Sequence, residues 1–147
     1  MSEFISNIAN KGGVIVAMAS YILVTESTFI DNVATDEGGV LYAADSSNVI
    51  TERNFFGSNI ATNCGGIMSV LRSNLTTFGD EVINNSAING GVICADFHSF
   101  IVSVNCQYLS NTANGKGGVL YANVCPLSKQ NKIITLPMEQ VVEESWQ

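Results

Sequence analysis

The stretch that decides the fold is residues 28–43, which read TFIDNVATDEGGVLYA. It joins two marks. The first is a large apolar residue followed by an asparagine and an alanine, at Phe29, Asn32 and Ala34, and the second is the glycine pair Gly38-Gly39. Outward from this stretch, both marks recur in phase five times. Two independent marks that repeat in phase indicate an internal structural repeat.

The glycine pairs give the period of the repeat, because they lie 25–27 residues apart at Gly12-Gly13, Gly38-Gly39, Gly65-Gly66, Gly90-Gly91 and Gly117-Gly118. The large apolar residue of the other mark is Phe4, Phe29, Phe56, Val82 or Tyr108. Helical repeats are longer, about 33–47 residues, and these units are rich in the Val, Ile, Thr, Ser and Gly of strands and turns. We therefore predict an all-β parallel β-helix solenoid of about five coils over residues 1–122.

Alternation after each glycine pair predicts which side chains point inward. Two apolar rows fall on one face: Ile15, Leu41, Met68, Ile93 and Leu120, then Ala17, Ala43, Val70, Ala95 and Ala122. The position between them varies and is predicted to face solvent: Val16, Tyr42, Ser69, Cys94 and Tyr121. Tyr42 and Tyr121 are therefore a candidate surface binding stripe, with scattered surface aromatics as the alternative. A third strand per coil is expected from the alternation over residues 100–108.

The chain has sixteen asparagines, and the repeat explains this excess. In stacked coils one asparagine per unit forms a column: Asn7, Asn32, Asn59, Asn85 and Asn111. Each side-chain amide can donate to the carbonyl of the next, which predicts a structural ladder along the axis. Asparagine also tolerates the left-handed backbone of sharp turns.

The repeat marks end near Ala122, so residues 123–147 are predicted to be a C-terminal cap or tail. Pro137 is suited to open a short helix ending near Trp146, and a disordered tail is the alternative. No cap is evident before Phe4, which leaves the upper edge open to end-to-end continuation with further repeats.

Charge excludes several function classes. The formal net charge is −7, with 13% charged residues and only six Lys and Arg. A nucleic-acid binder or an anchor to anionic lipid needs a basic face, so both classes are excluded. The apolar uncharged stretch at residues 12–25 is shorter than the roughly 20 apolar residues of a membrane-spanning helix. No signal peptide is identified.

No catalytic, cofactor or metal site is predicted, since no residues form a recognisable constellation. The alternative is a pectate-lyase-like, polysaccharide-active enzyme using Asp45, Asp96 or His98, because such enzymes place acidic groups on neighbouring coils. The four cysteines, Cys64, Cys94, Cys106 and Cys125, occupy different places in the repeat. Free thiols are slightly favoured over one or two disulfides, whose pairing the sequence leaves open.

The paired marks resemble the repeat of polymorphic outer membrane proteins of the chlamydial type, which joins an F-x-x-N motif to a G-G-A-I-like motif. The resemblance covers residue 4 to about residue 122, although Val82 and Tyr108 replace the phenylalanine in two units. It implies a right-handed parallel β-helix with a pectin lyase-like fold. In this family such a module is commonly an adhesin, the passenger of a bacterial autotransporter. Similar repeats also occur in large eukaryotic surface or secreted proteins.

We therefore expect a non-catalytic, structural or adhesive module that is secreted or lies on a cell surface. In a bacterial member of the family, that surface would be the outer membrane. The expected partner is a host-cell, matrix or glycan surface. A scaffold fragment of a larger surface protein is a further alternative.

Overall fold

The computed structural model describes residues 1–123 and the backbone of residues 133–136. These residues form twenty short strands, and every strand pairing among them is parallel. Each strand pairs with the strand four places along the chain, so the backbone winds through five turns of four strands. The prediction of an all-β parallel solenoid of about five coils is confirmed.

The strands stack into four sheets, labelled A to D in the order in which the chain visits them. Sheet A contains β1 Glu3–Ile5, β5 Thr28–Ile30, β9 Phe55–Gly57, β13 Glu81–Ile83 and β17 Gln107–Leu109. Sheet B contains β2 Ile8–Lys11, β6 Val33–Glu37, β10 Ile60–Ala61, β14 Ser86–Asn89 and β18 Thr112–Lys116. Sheet C contains β3 Ile15–Met18, β7 Leu41–Ala44, β11 Met68–Leu71, β15 Ile93–Asp96 and β19 Leu120–Asn123. Sheet D contains β4 Tyr21–Thr25, β8 Asn48–Glu52, β12 Asn74–Phe78, β16 Phe100–Val104 and β20 Ile133–Leu136.

The register places equivalent residues of successive turns above one another. Phe4, Phe29 and Phe56 pair directly in sheet A, and their rings stack with centroids 4.9 and 5.0 Å apart. Val82 and Tyr108 continue the same column. The two apolar rows predicted for the strands after the glycine pairs also stack in register, in sheet C. These columns form one hydrophobic core along the axis.

A residue with left-handed backbone marks each corner of a turn. Before the ladder asparagines these residues are Ser6, Asp31, Ser58, Asn84 and Ser110, with φ of 54–58°. The ladder asparagines follow the left-handed residue, so their own tolerance of that backbone is not what shapes the corner. A left-handed residue other than glycine costs roughly 1–2 kcal/mol. Its amide is satisfied by the next turn, as when Asp31 N–H donates to the Gly57 carbonyl at 3.1 Å.

The glycine pair forms the corner between sheets B and C. Gly38, the first of its pair, has φ of +66°. At the second, Gly39, an added Cβ would lie 2.1 Å from the carbonyl oxygen of Gly66 in the next turn. The pair thus supplies a left-handed turn and a close approach between the backbones of successive turns.

The C-terminal region extends further than the repeat marks. Strand Ile133–Leu136 pairs with Phe100–Val104 and supplies the fourth strand of the fifth turn. This strand lies beyond the predicted end of the repeats near Ala122. The sequence did not indicate it, because its residues carry neither repeat mark. The helix expected from Pro137 to Trp146 lies outside the described residues.

Candidate functional site

The asparagine column is continuous through all five turns. Asn32 donates from its backbone N–H and from Nδ2 to Asn59 Oδ1, at 3.0 and 2.9 Å. Asn59 donates in the same way to Asn85 Oδ1, at 2.8 and 2.9 Å. Asn7 and Asn111 form the two ends of the column. The three central asparagines are fully buried, and the column satisfies polar groups that would otherwise be orphaned in the core.

The second hydrogen of each of the three central amides is also used. Asn59 Nδ2 donates to the carbonyl of Phe29 at 3.0 Å, and Asn85 Nδ2 donates to that of Phe56, also at 3.0 Å. Each central asparagine thus ties its own turn to the turn before and the turn after. No N–H donor of the three central amides is left to bind a ligand, so the column has a structural role.

A second polar column consists of serines that the sequence reading missed. Ser20, Ser47 and Ser73 each donate a backbone N–H to the hydroxyl oxygen of the next serine, ending at Ser99, at 3.0–3.5 Å. They follow the left-handed residues of the corner between sheets C and D. The signal was present, because these serines recur at 26–27 residue spacing.

The third polar column is irregular and contains a buried carboxylate. Asp80 is 2% exposed, and its Oδ1 accepts from the backbone N–H and Nδ2 of Asn54 at 2.8 and 3.0 Å. Its Oδ2 accepts from the Thr51 hydroxyl at 2.5 Å. Burial raises the pKa of Asp80, although these hydrogen bonds oppose the shift. Asp80 thus lies in this column between Asn54 of the turn before and Cys106 of the turn after.

A hydroxyl cluster lies beside this column inside the coil. The Tyr108 hydroxyl lies 2.7 Å from the Ser103 hydroxyl and 3.5 Å from that of Thr77. Cys106 Sγ donates to Thr77 Oγ1 at 3.4 Å. Burial raises the pKa of Tyr108 far above its usual range. The cluster satisfies polar groups within the core, and its neutral phenol serves as a hydrogen-bonding group.

The tyrosine stripe expected on sheet C is not an open surface. Tyr42 does alternate with inward residues, but it is only 9% exposed because Lys11 of the preceding turn lies over its ring, with Nζ 4.5 Å from the centroid. Lys11 also donates to Glu37 at 3.0 Å. Partial burial lowers the pKa of Lys11, but the hydrogen bond and charge of Glu37, with the charges of Tyr42 and Asp36, together raise it above its ordinary value. Tyr121 is half-buried, so the two tyrosines do not form an exposed stripe.

The preference for free thiols is wrong for two of the cysteines. Cys64 and Cys94 form a disulfide between the third and fourth turns, with their Cα atoms 5.5 Å apart. Cys64 occupies the corner position equivalent to Lys11, and like Lys11 it reaches over the sheet C wall of the next turn. The two cysteines belong to different columns, so comparison within single columns could not reveal the pair. Cys106 is a buried free thiol.

The three candidate enzymatic residues do not converge on one another. Asp45 forms an exposed ion pair with Arg72 of the next turn. Asp96 lies in a neighbouring column, paired in register with Leu71 and Asn123. Burial raises the pKa of Asp96, and one of its oxygens has no hydrogen-bond partner. His98 is exposed at the following corner, where its φ is 60°.

The described part of the chain carries neither a metal-binding group of side chains nor a membrane-spanning helix. Within residues 1–123, no three His, Cys, Asp or Glu side chains are grouped so that they could hold a metal ion. The same described residues include no helix with the length and apolar character needed to cross a membrane.

Comparison with known proteins bears on the repeat itself. No curated protein and no solved structure matched the chain. Residues 26–44 match the family model described as the Chlamydia polymorphic membrane protein repeat. These residues hold the phenylalanine, the ladder asparagine and the glycine pair of the second turn, and the parallel solenoid fits such a repeat. The second turn of the chain is therefore similar to a repeat of the polymorphic membrane protein type.

Proposed function

We propose that this chain is a non-catalytic adhesive module displayed on a cell surface or secreted. The observation that carries the proposal is the match of residues 26–44, which hold both repeat marks of the second turn, to a repeat of membrane proteins. The stacked turns give long walls of parallel strands, and such walls suit contact with an extended host-cell, matrix or glycan surface.

The disulfide supports an oxidising location. Cys64 and Cys94 come from separate turns, and their bond fixes the sheet C wall across those turns. Structural disulfides persist outside the cytosol, where thiols are not kept reduced.

The non-catalytic part of the proposal rests on how the polar groups are used. Asn59 and Asp80 have their oxygens engaged by neighbouring turns, and Asp45 is paired with Arg72. These groups serve stacking or surface pairing, which leaves few of them for acid–base work on a substrate.

Adhesion is tested with beads coated with the purified chain. The beads should bind host-type cells, matrix proteins or arrayed glycans more strongly than albumin-coated beads do. A Gly39→Ala chain, which cannot form the glycine corner, is the control for dependence on the fold. Binding no stronger than that of albumin on every surface would contradict the adhesive role.

Surface display has its own test in intact source cells. A membrane-impermeant amine reagent should label the chain before lysis, because Lys11 is about one-third exposed at its side chain. A cytosolic protein from the same cells serves as the control. Labelling that appears only after lysis would place the chain inside the cell.

A polysaccharide-active enzyme is the second candidate, and Asp96 is the observation that favours it. A half-buried carboxyl with a raised pKa has the property that a general acid needs. Acidic and neutral polysaccharides should release reducing ends or unsaturated products if this is correct, and Asp96→Asn should abolish the release. No product from the whole panel would remove this candidate.

A further inference from the structure

Sheet D turns an apolar face to solvent. Its four strands with described side chains have twelve outward positions, and seven are apolar or aromatic: Tyr21, Leu23, Ile50, Phe78, Phe100, Val102 and Val104. Tyr21 is 63% exposed, Leu23 56% and Phe78 41%. Glu52 is the one charged residue among the twelve.

The inner side of the same sheet is mostly apolar, with five of its eight described inward positions in or against the core and three polar. Thr51, Thr77 and Ser103 point into the coil, where they contact the buried carboxylate or the hydroxyl cluster. A sheet with one solvated face normally places its apolar residues inside and its polar residues outside. Sheet D keeps a mostly apolar inner face and departs from that pattern on its outer face, where apolar residues outnumber polar ones.

Ion pairs border this face at both ends of its strands. Arg53 pairs with Glu26 at 3.0 Å at one edge, and Arg72 pairs with Asp45 at the other. These are the only two arginines in the chain. An apolar centre with a charged rim that contains arginine is the usual anatomy of a protein–protein interface.

We propose that the outer face of sheet D is the contact surface between two copies of this chain. The copies are related by a two-fold axis parallel to the solenoid axis. Such an axis keeps the height of each turn and exchanges the two edges of the face. Asp45 and Arg53 lie in the same turn on opposite edges, so Asp45 of each copy faces Arg53 of the other. The rim is therefore complementary to itself, which an isologous interface requires.

The size of the face sets the strength of the contact. Four strands about 4.8 Å apart and five residues of about 3.3 Å each give roughly 300 Å² per copy. A stable interface needs about 800 Å² per partner. The dimer is therefore weak and depends on concentration, a property suited to a module that is displayed many times on one surface.

Analytical ultracentrifugation of the full, disulfide-bonded chain tests the proposal. The wild-type chain should shift from monomer to dimer between about 10 µM and 1 mM, the weak range that a face of this size implies. Leu23→Lys should raise the dimer Kd at least tenfold. Ile8→Lys, at a 73% exposed position on sheet B, is the matched control and should change nothing. A wild-type chain that stays monomeric, or equal effects of the two variants, would overturn the proposal.

A charge swap tests the two-fold geometry. Asp45→Arg and Arg53→Glu chains should each be monomeric, because like charges then meet at both edges. An equimolar mixture should dimerise, since each edge then joins opposite charges. Circular dichroism confirms that both variants are folded. A mixture that remains monomeric would overturn the arrangement.

Discussion

At the residue scale, the corners are held together by side chains that bond to the equivalent residue one turn away. Asn59 accepts two hydrogen bonds from the turn before through one oxygen, and its amide donates to both neighbouring turns. Because it is fully buried, no water can replace these bonds. The column is therefore a set of mutually dependent bonds, and its centre should be more sensitive to substitution than its end.

Replacing Asn59 by Ala should lower the free energy of unfolding by about 3 kcal/mol, since it leaves several buried donors and acceptors unpaired. The matched control is Asn7→Ala, because Asn7 is exposed at the end of the column. We expect that change to cost less than about 1 kcal/mol. Guanidinium unfolding measures both, and equal losses would contradict the column.

Replacing Asp80 by Asn should stabilise the protein at neutral pH by about 1–2 kcal/mol, by removing a buried charge while keeping the stack. The new amide can donate to the Thr51 hydroxyl, which accepts as well as donates. In the wild type, burial raises the folded-state pKa of Asp80. The resulting stabilisation is complete below the unfolded pKa and is lost as pH rises through the folded value.

The advantage of Asp80→Asn should therefore grow between pH 4 and pH 8. Denaturant unfolding of the two proteins across this range measures it. If the difference in unfolding free energy between the two proteins stayed constant with pH, the charge of the Asp80 carboxylate would not be the cause of the stabilisation.

At the element scale, the two kinds of glycine separate strain from steric contact. Gly39→Ala should cost more than about 3 kcal/mol or prevent folding, because its Cβ would meet the Gly66 carbonyl. Gly79 instead has a left-handed backbone, with φ of +63°, and the nearest atom to its Cβ would be Arg53 Cγ at 3.6 Å. Gly79→Ala should cost only about 1 kcal/mol. Thermal unfolding of both variants tests this, and similar losses would refute the steric explanation.

Reduction of the Cys64–Cys94 disulfide should destabilise the chain by about 2–4 kcal/mol, because it closes a loop with a sequence separation of 30 residues. Paired Cys64→Ser and Cys94→Ser changes should act in the same way. Cys106→Ala removes a thiol that forms no disulfide. Reductant should therefore lower the melting temperature of this variant by as much as it lowers that of the wild type. A paired variant as stable as the wild type would argue against a clamp between the turns.

Sequence alone could predict the parts of the elements that repeat with one residue type. The glycine pairs, the asparagine column and the phenylalanine row were visible because each position keeps its identity or character. The third polar column was not, because Ser27, Asn54, Asp80 and Cys106 differ in type. The covering of Tyr42 by Lys11 was also hidden, since it joins side chains of different columns and different turns.

At the scale of the whole molecule, stability comes from contacts between neighbouring turns. Each sheet stacks five strands, one from each turn. The strands of a turn are therefore hydrogen-bonded only to the strands of the turns directly before and after it, among the described residues. Such a solenoid gains stability turn by turn. Its outer walls are then left to provide contacts with other molecules, as we propose for sheet D and for adhesion.

The central claim is that turns of about 26 residues stack in register. Pairs of nitroxide labels on the outward column of sheet B test it directly, introduced through an unnatural amino acid that spares the disulfide. Labels at Ile60 and Ser86 lie one turn apart, and labels at Val33 and Thr112 lie three turns apart. Electron paramagnetic resonance measures the distance between the two labels. That distance should increase by about 4.8 Å per turn, from roughly 5 Å for the first pair to roughly 14 Å for the second. Separations that do not increase with the number of turns would contradict the account.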